Sequence, residues 1–196
     1  MNNVKITGII LAGGKSSRMG QNKALLEIDG QTLIERMAVI MSRVCSEIII
    51  AGDNSGILQI PGSRSVPDIF PGCGPLSGIH AGLSAARNYY SFITACDIPF
   101  PDGKLMRIII DQTEDGYEAV ILKTGKFYEP LFSLYGKGFI RAAETSIGRG
   151  TYKVTASLSL VRWKTVDLNA DEMPGLGKSL LNINTPDDYE EARRIK

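Results

Sequence analysis

Residues 6–23 read ITGIILAGGKSSRMGQNK, and their order sets the fold class. Ile6 to Leu11 is an apolar run of the kind that forms a strand covered on both faces. Gly13 and Gly14 follow, where a chain leaving a strand can turn sharply and its N–H groups can approach an anion with no Cβ in the way. Ser16 and Ser17 add hydroxyls, and Lys15, Arg18 and Lys23 add spaced positive charge. A strand, a glycine turn and spaced cations make a triphosphate cradle, in which Arg18 can grip two phosphate oxygens through its planar fork. The competing reading is a glycine turn with solvated lysines. The loop is not a Walker A motif, because Gly8 lies one residue too far ahead of Gly14-Lys15-Ser16. No G-x-G-x-x-G dinucleotide fingerprint stands at this turn.

The rest of the chain alternates. Strand patterns fall at residues 6–11, 47–51, 90–96, 119–122, 131–135 and 160–166. Helical spacing falls at 31–45, 76–87, 104–112, 138–146 and 186–195. The last of these opens with Thr185 as N-cap, Pro186 at the first position and acidic residues in its first turn. Residues 57–75 are rich in glycine and proline and read as loop, with a short strand near Val66. Strands separated by helices predict an α/β fold with a mostly parallel sheet and helices on both faces. In such a sheet, ligands bind beyond the carboxyl ends of the strands. Residues 113–129 suggest a small lobe for a second substrate.

That rule draws Asp97 to the glycine loop. In SFITACDIPF it follows a buried strand, and Pro99 enforces an extended exit. A carboxylate there is a natural Mg²⁺ ligand, since Mg²⁺ takes one or two carboxylates together with substrate phosphates. The alternative is a turn cap formed with its own backbone. Asn182 and Asn184, in NINTPDD, offer amide oxygens to the same cation or serve as turn residues before the last helix. Gly74 to Gly78 is a second small-residue loop ahead of a helix, fit either for a ligand or for close helix–sheet packing.

Composition bounds the partners. The chain has 196 residues, 43% hydrophobic and 22% charged, which suits one domain across 1–196 with a real core. With 22 basic and 21 acidic residues the net charge is +1, so no cationic surface points to a nucleic-acid partner. The apolar run near the N-terminus is too short to span a membrane, so no membrane partner is expected. Cys45, Cys73 and Cys96 follow neither a zinc nor a redox spacing and fit reduced thiols of the cytoplasm. His80 is the single histidine, which makes zinc clusters and a Ser-His-Asp hydrolase poor readings and leaves it a surface or packing role.

The chain resembles the molybdenum cofactor guanylyltransferases, within the wider nucleotidyltransferases that carry Leu-Ala-Gly-Gly-x-Ser-x-Arg-Met-Gly followed closely by Lys. Leu11, Ala12, Gly13, Gly14, Ser16, Arg18, Met19, Gly20 and Lys23 stand in those places. The likeness continues in order through ALLEIDGQTLIER, VPD, GPLSGIHAGL, CDIPF, EPLFSLY and NINTPDDY. It implies a three-layer Rossmann-like nucleotidyltransferase fold. It also implies that GTP is held by Leu11, Ala12, Gly13, Gly14, Lys23, Asp68, Gly78 and Asp97. Arg18, Lys23 and Asp97 would serve catalysis, and Asp97, with Asn184, would hold Mg²⁺. One departure stands out: Ala51 occupies a place where a relative can carry a nucleotide-contacting Asn, leaving Asp53 or Asn54 to supply that group.

The implied reaction joins GMP from GTP to the terminal phosphate of molybdenum-molybdopterin and releases pyrophosphate. A cofactor-insertion protein or molybdoenzyme chaperone is the expected docking partner of the family. Alternatives are a CTP-using cytidylyltransferase, a sugar-phosphate nucleotidyltransferase, an NTP-hydrolysing switch and a non-enzymatic nucleotide or cofactor carrier. Arg149, Lys153 and Arg162 are candidates for a pterin phosphate or for solvated surface.

Overall fold

The computed structural model describes residues 4–13, 22–52, 58–169 and 173–195. In chain order they form β1 (Thr7–Leu11), β2 (Glu27–Ile28), β3 (Gln31–Thr32), α1 (Leu33–Met41), β4 (Glu47–Ala51), β5 (Ser63–Val66), α2 (Pro75–Ala85) and β6 (Tyr90–Ala95). There follow α3 (Gly103–Ile110), β7 (Ala119–Thr124), β8 (Phe127–Gly136), α4 (Phe139–Gly148), α5 (Val154–Ser157), β9 (Trp163–Leu168), α6 (Leu176–Ser179) and α7 (Pro186–Arg194).

Seven strands make one sheet in the order β5-β4-β1-β6-β8-β7-β9. β1 is buried at every position, as an apolar run without alternation requires. It pairs in parallel with β4 on one side and β6 on the other. β8 alone runs against its neighbours β6 and β7. Period-two alternation then divides the core. Ile10, Ile48, Ile50 and Phe92 face the layer of α1 and α3, where Met37, Met41, Leu105 and Ile109 meet them. Ile9, Leu11, Ile49 and Ile93 face α2 and α4 through Leu76, Ile79, Leu83 and Phe139. The mostly parallel sheet covered on both faces is the architecture the sequence predicts.

Three departures from the sequence expectations have local causes. Residues 31–32 belong to the β2–β3 hairpin, turned at Asp29 (φ 53°) and Gly30 (φ 73°), rather than to the helix. Thr32 then caps α1 in a reciprocal box with Glu35, fixing the start at Leu33. Residues 113–129 form no separate lobe: after turns they enter β7 and the start of β8, both in the central sheet. The start of β8 is masked in sequence by Pro130 and by a register shift between Val120 and Leu122.

α2 lies close on the sheet because Gly82 faces Ile9. A Cβ at Gly82 would sit 2.6 Å from Ile9 Cγ2. We therefore predict that Gly82→Ala destabilises the protein by about 1–3 kcal/mol through overpacking. The loss should shrink in an Ile9→Ala background, where the opposing methyl groups are gone. Urea denaturation of both single variants and the double variant measures this coupling.

Candidate active site

Four parallel strands stop in one row. Leu11 is paired with Ala51 and Ala95, and Ala51 with Val66. Backbone bonds carry the ladder one residue further: Ala12 N–H to Ala51 C=O at 2.9 Å, Gly52 N–H to Val66 C=O at 3.0 Å, and Cys96 N–H to Leu11 C=O at 3.2 Å. Gly13, Gly52, Asp68 and Asp97, distant in sequence, therefore leave the sheet at a common rim.

On one side of that rim, two glycine backbones touch. A Cβ at Gly52 would lie 2.9 Å from Gly13 Cα, and Gly52 also has φ 82°. The carboxyl of Asp68 closes this corner, its Oδ1 3.5 Å from the Cβ position of Gly52 and 3.9 Å from that of Gly78. Gly78, in the first turns of α2, would meet Leu11 Cδ2 at 3.0 Å if it carried a Cβ. Leu11, Ala12, Gly13, Asp68 and Gly78, assigned from sequence to one nucleotide site, are thus neighbours at the ends of β1, β4 and β5. Gly14, Arg18, Asp53 and Asn54 lie outside the described residues.

Across β1, the charged centre is built on Lys23. A 3-10 turn, Lys23–Leu25, is capped by Asn22, whose Oδ1 accepts from Ala24 N–H at 3.1 Å, while Ala24 is buried in the core. Lys23 Nζ consequently points to Asn184 Oδ1 at 3.0 Å and pairs with Asp97 Oδ2 at 3.4 Å. An ammonium has three donors, so one is left among the described residues for a substrate oxygen. Asp97 Oδ1 is buried and accepts no hydrogen bond from any described residue. An ionised oxygen in that state favours a cation or a ligand donor. Burial, with Asp97 beside it, pushes the Cys96 thiol up to about 12, which removes it as a nucleophile.

Asn184 is held from two directions. Ile183 is fully buried with Leu26, Ile28, Leu33 and Ala192, and its N–H donates to Asp97 C=O at 2.9 Å. Asp188, in the first turn of α7, accepts from Asn184 N–H and Thr185 N–H, both at 2.8 Å. Those donors hold the Asp188 carboxyl below the usual carboxylate range. Asn182, Asn184, Asp97 and Glu129 line a cavity of about 320 Å³ beside this centre. Glu129 and Gly52 are the contributors that sequence reasoning misses. Glu129 opens the segment EPLFSLY, which carries the likeness but no local signal of a site, whereas the Ala-Gly step after β4 does carry a turn signal.

The other candidates separate. His80 is buried, in contact with the Phe70 ring and with Nε2 3.1 Å from Glu144 Oε1, so its role is packing. Arg162 lies over the Tyr117 ring just before β9 begins, at the end of the sheet opposite the rim. Arg149 and Lys153 are exposed. Among the described residues no cluster of three or more His, Cys, Asp or Glu forms a metal site, and no helix is long and apolar enough to cross a membrane.

A parallel sheet whose carboxyl rim joins a glycine corner to a lysine–carboxylate centre has the features of a nucleotidyltransferase. The chain belongs to the MobA-like NTP transferase family, whose domain description matches residues 8–162. It is 41% identical over 193 residues to a probable molybdenum cofactor guanylyltransferase of Pelotomaculum thermopropionicum, covering 97% of this chain and 93% of that one. Identity to the molybdenum cofactor guanylyltransferase of Desulfosudis oleivorans is 36%, over 95% and 94% of the two chains. The fold is shared with molybdopterin-guanine dinucleotide biosynthesis protein A of Archaeoglobus fulgidus, at a TM-score of 0.79, 24% identity and coverage of 97% and 98%.

Two outcomes test this geometry. Gly52→Ala should lower stability by about 2 kcal/mol, from left-handed strain and contact with Gly13, and weaken nucleotide binding; denaturant titration and a nucleotide thermal shift report each. Asp188 has a lowered folded pKa. Its contribution to stability is therefore complete above the unfolded value of about 3.9 and is lost as pH falls through the lower folded value. Asp188→Asn should melt below the wild type at neutral pH, with the gap closing on acidification, as read from melting curves across that range.

Proposed function

We propose that this protein transfers GMP from GTP to the terminal phosphate of molybdenum-molybdopterin, forming the guanine dinucleotide cofactor and pyrophosphate. The observation that carries the reading is Lys23 held between Asp97 and Asn184, at the same rim of the parallel sheet as the glycine corner. The full-length likeness to molybdenum cofactor guanylyltransferases supports the choice of donor and acceptor.

An acceptor phosphate is already ionised at neutral pH. It needs no general base, which suits a chain whose one histidine is buried in packing. The task left to the protein is to position two anions in line and to offset their charge. The backbone from Leu11 to Gly14 receives the nucleotide, Asp68 and Gly78 close its corner, and Lys23 balances charge on the triphosphate. Arg18 joins Lys23 in this reading. Asp97 and Asn184 would supply the hard oxygen ligands Mg²⁺ prefers, and Asp97 Oδ1, buried with no hydrogen bond among the described residues, fits that role. When bound, Mg²⁺ supplies neutralisation of phosphate charge. The same reading puts the protein in the cytoplasm, where Cys45, Cys73 and Cys96 stay reduced.

The test is a thermal-shift titration with Mg²⁺ and each of GTP, CTP, ATP and UTP, on wild type and Asp97→Ala. A GTP-selective shift that Mg²⁺ strengthens and the substitution weakens is expected. Preference for CTP would reassign the donor to cytidylyl transfer. In a GMP-transfer assay, Lys23→Ala and Asp97→Ala should each lose on the order of a hundredfold in rate.

A further inference from the structure

We propose that Glu129 receives the hydrogen-bond-donating edge of the acceptor's pterin ring and selects the acceptor by it; this rests on the guanylyl-transfer reading above. β8 runs antiparallel to β6, with Phe132 paired to Thr94, near the last residue of β6. Residues 127–131 of β8 therefore project past the end of β6 on the side of the rim that carries Asp97. Glu129 lies on this overhang, paired with Leu122 of β7.

The overhang walls the cavity of about 320 Å³ that Asp97, Asn182 and Asn184 also line. Leu131, Phe132 and Leu180 give it apolar sides. A small cavity with apolar walls and a few polar groups suits a flat heteroaromatic ring. The glycine corner at β1, β4 and β5 lies across Asp97 from it. A donor nucleotide in that corner and a ring in this cavity would meet at Asp97 and Lys23.

Glu129 is half-buried and poorly matched within the protein. Its hydrogen bond among the described residues, from Thr124 Oγ1, is long at 3.5 Å, and no described Lys or Arg pairs with it. Burial pushes its carboxyl upward, as expected of a carboxylate short of donors. A pterin carries a ring N–H and an exocyclic NH₂ side by side. Two parallel N–H···O bonds to one carboxylate satisfy both, and charge-assisted pairs of this kind are the stronger hydrogen bonds. Guanine presents the same edge, so the chemistry has two sources, and placement on the acceptor side of Asp97 selects the pterin.

The experiment uses free pterin and lumazine, followed by ligand fluorescence on wild type, Glu129→Gln and Glu129→Ala. Lumazine replaces the 2-amino group with a carbonyl and so turns one donor into an acceptor. Wild type should prefer pterin by about tenfold or more. Glu129→Gln, nearly isosteric, should reverse the preference, because an amide presents one acceptor and one donor. Glu129→Ala should bind both weakly and alike. A purely structural role would leave the preference unchanged in Glu129→Gln. In GMP transfer, the acceptor KM should rise about tenfold in Glu129→Gln while the GTP KM stays fixed.

Equal binding of the two ligands by wild type, or an unchanged preference in the Gln variant, overturns the proposal. So does a rise in GTP KM with acceptor KM unchanged, which assigns the guanine edge to Glu129. Pterin selectivity in a wild-type protein that transfers no GMP would sink the guanylyl-transfer reading and leave the ring site standing. Melting temperatures of the variants confirm that each is folded.

Discussion

The in-register ending of β5, β4, β1 and β6 is the constraint on which everything else depends. Val66, Ala51, Leu11 and Ala95 form one row across the sheet. Hydrogen bonds from the next residues lock that row. Because the strands are parallel, all four exits face the same way, and residues far apart in sequence become neighbours. No single exit makes a site. Gly13 has room only because Gly52 meets it without a side chain, and Asp68 closes the corner only because β5 stops level with β4.

The same row divides the site. β1 is the centre line, with glycine backbone and Asp68 to one side and Asp97, Asn184 and the cavity to the other. Lys23 is set apart from both by its own 3-10 turn and reaches Asp97 and Asn184 from positions 74 and 161 residues away. A lysine between two oxygen ligands is well placed to bridge anions, because its geometry is set before substrate arrives. Arg36 steadies the exit from Asp97 by donating to the carbonyls of Pro99 and Ile28. The rim is thus tied to α1 and to the small hairpin.

Much of this is legible in the sequence where periodicity and punctuation are strong. β4 and the Pro-led start of α7 match expectation, and the apolar runs of β1 and β6 are read with small shifts. The carboxylate after a buried strand identifies Asp97 for the same reason. Within residues 113–129 the strand at 119–122 is read, but the small lobe is not found, because Pro130, exposed aromatics and a shifted register hide the start of β8, which folds back on β7 as a hairpin. Helix α5 and the short α6 have too few residues for a period to register. Glu129 falls in a quoted segment, EPLFSLY, but its role is not legible there because it depends on how far β8 overhangs β6, a relation between strands rather than a local pattern. Asn184 is readable as a turn residue, but its contact with Lys23 is a product of the fold.

The C-terminal segment carries a consequence for how heat inactivates the protein. Asn184 is supplied by a segment whose anchor is the small cluster of Ile183, Ala192, Leu26, Ile28 and Leu33. α7 is otherwise polar and buries only Ala192. A patch this thin opens at a lower free energy than the main sheet. On this account warming detaches one wall of the candidate site, and Asn184 with it, before the seven-stranded core unfolds.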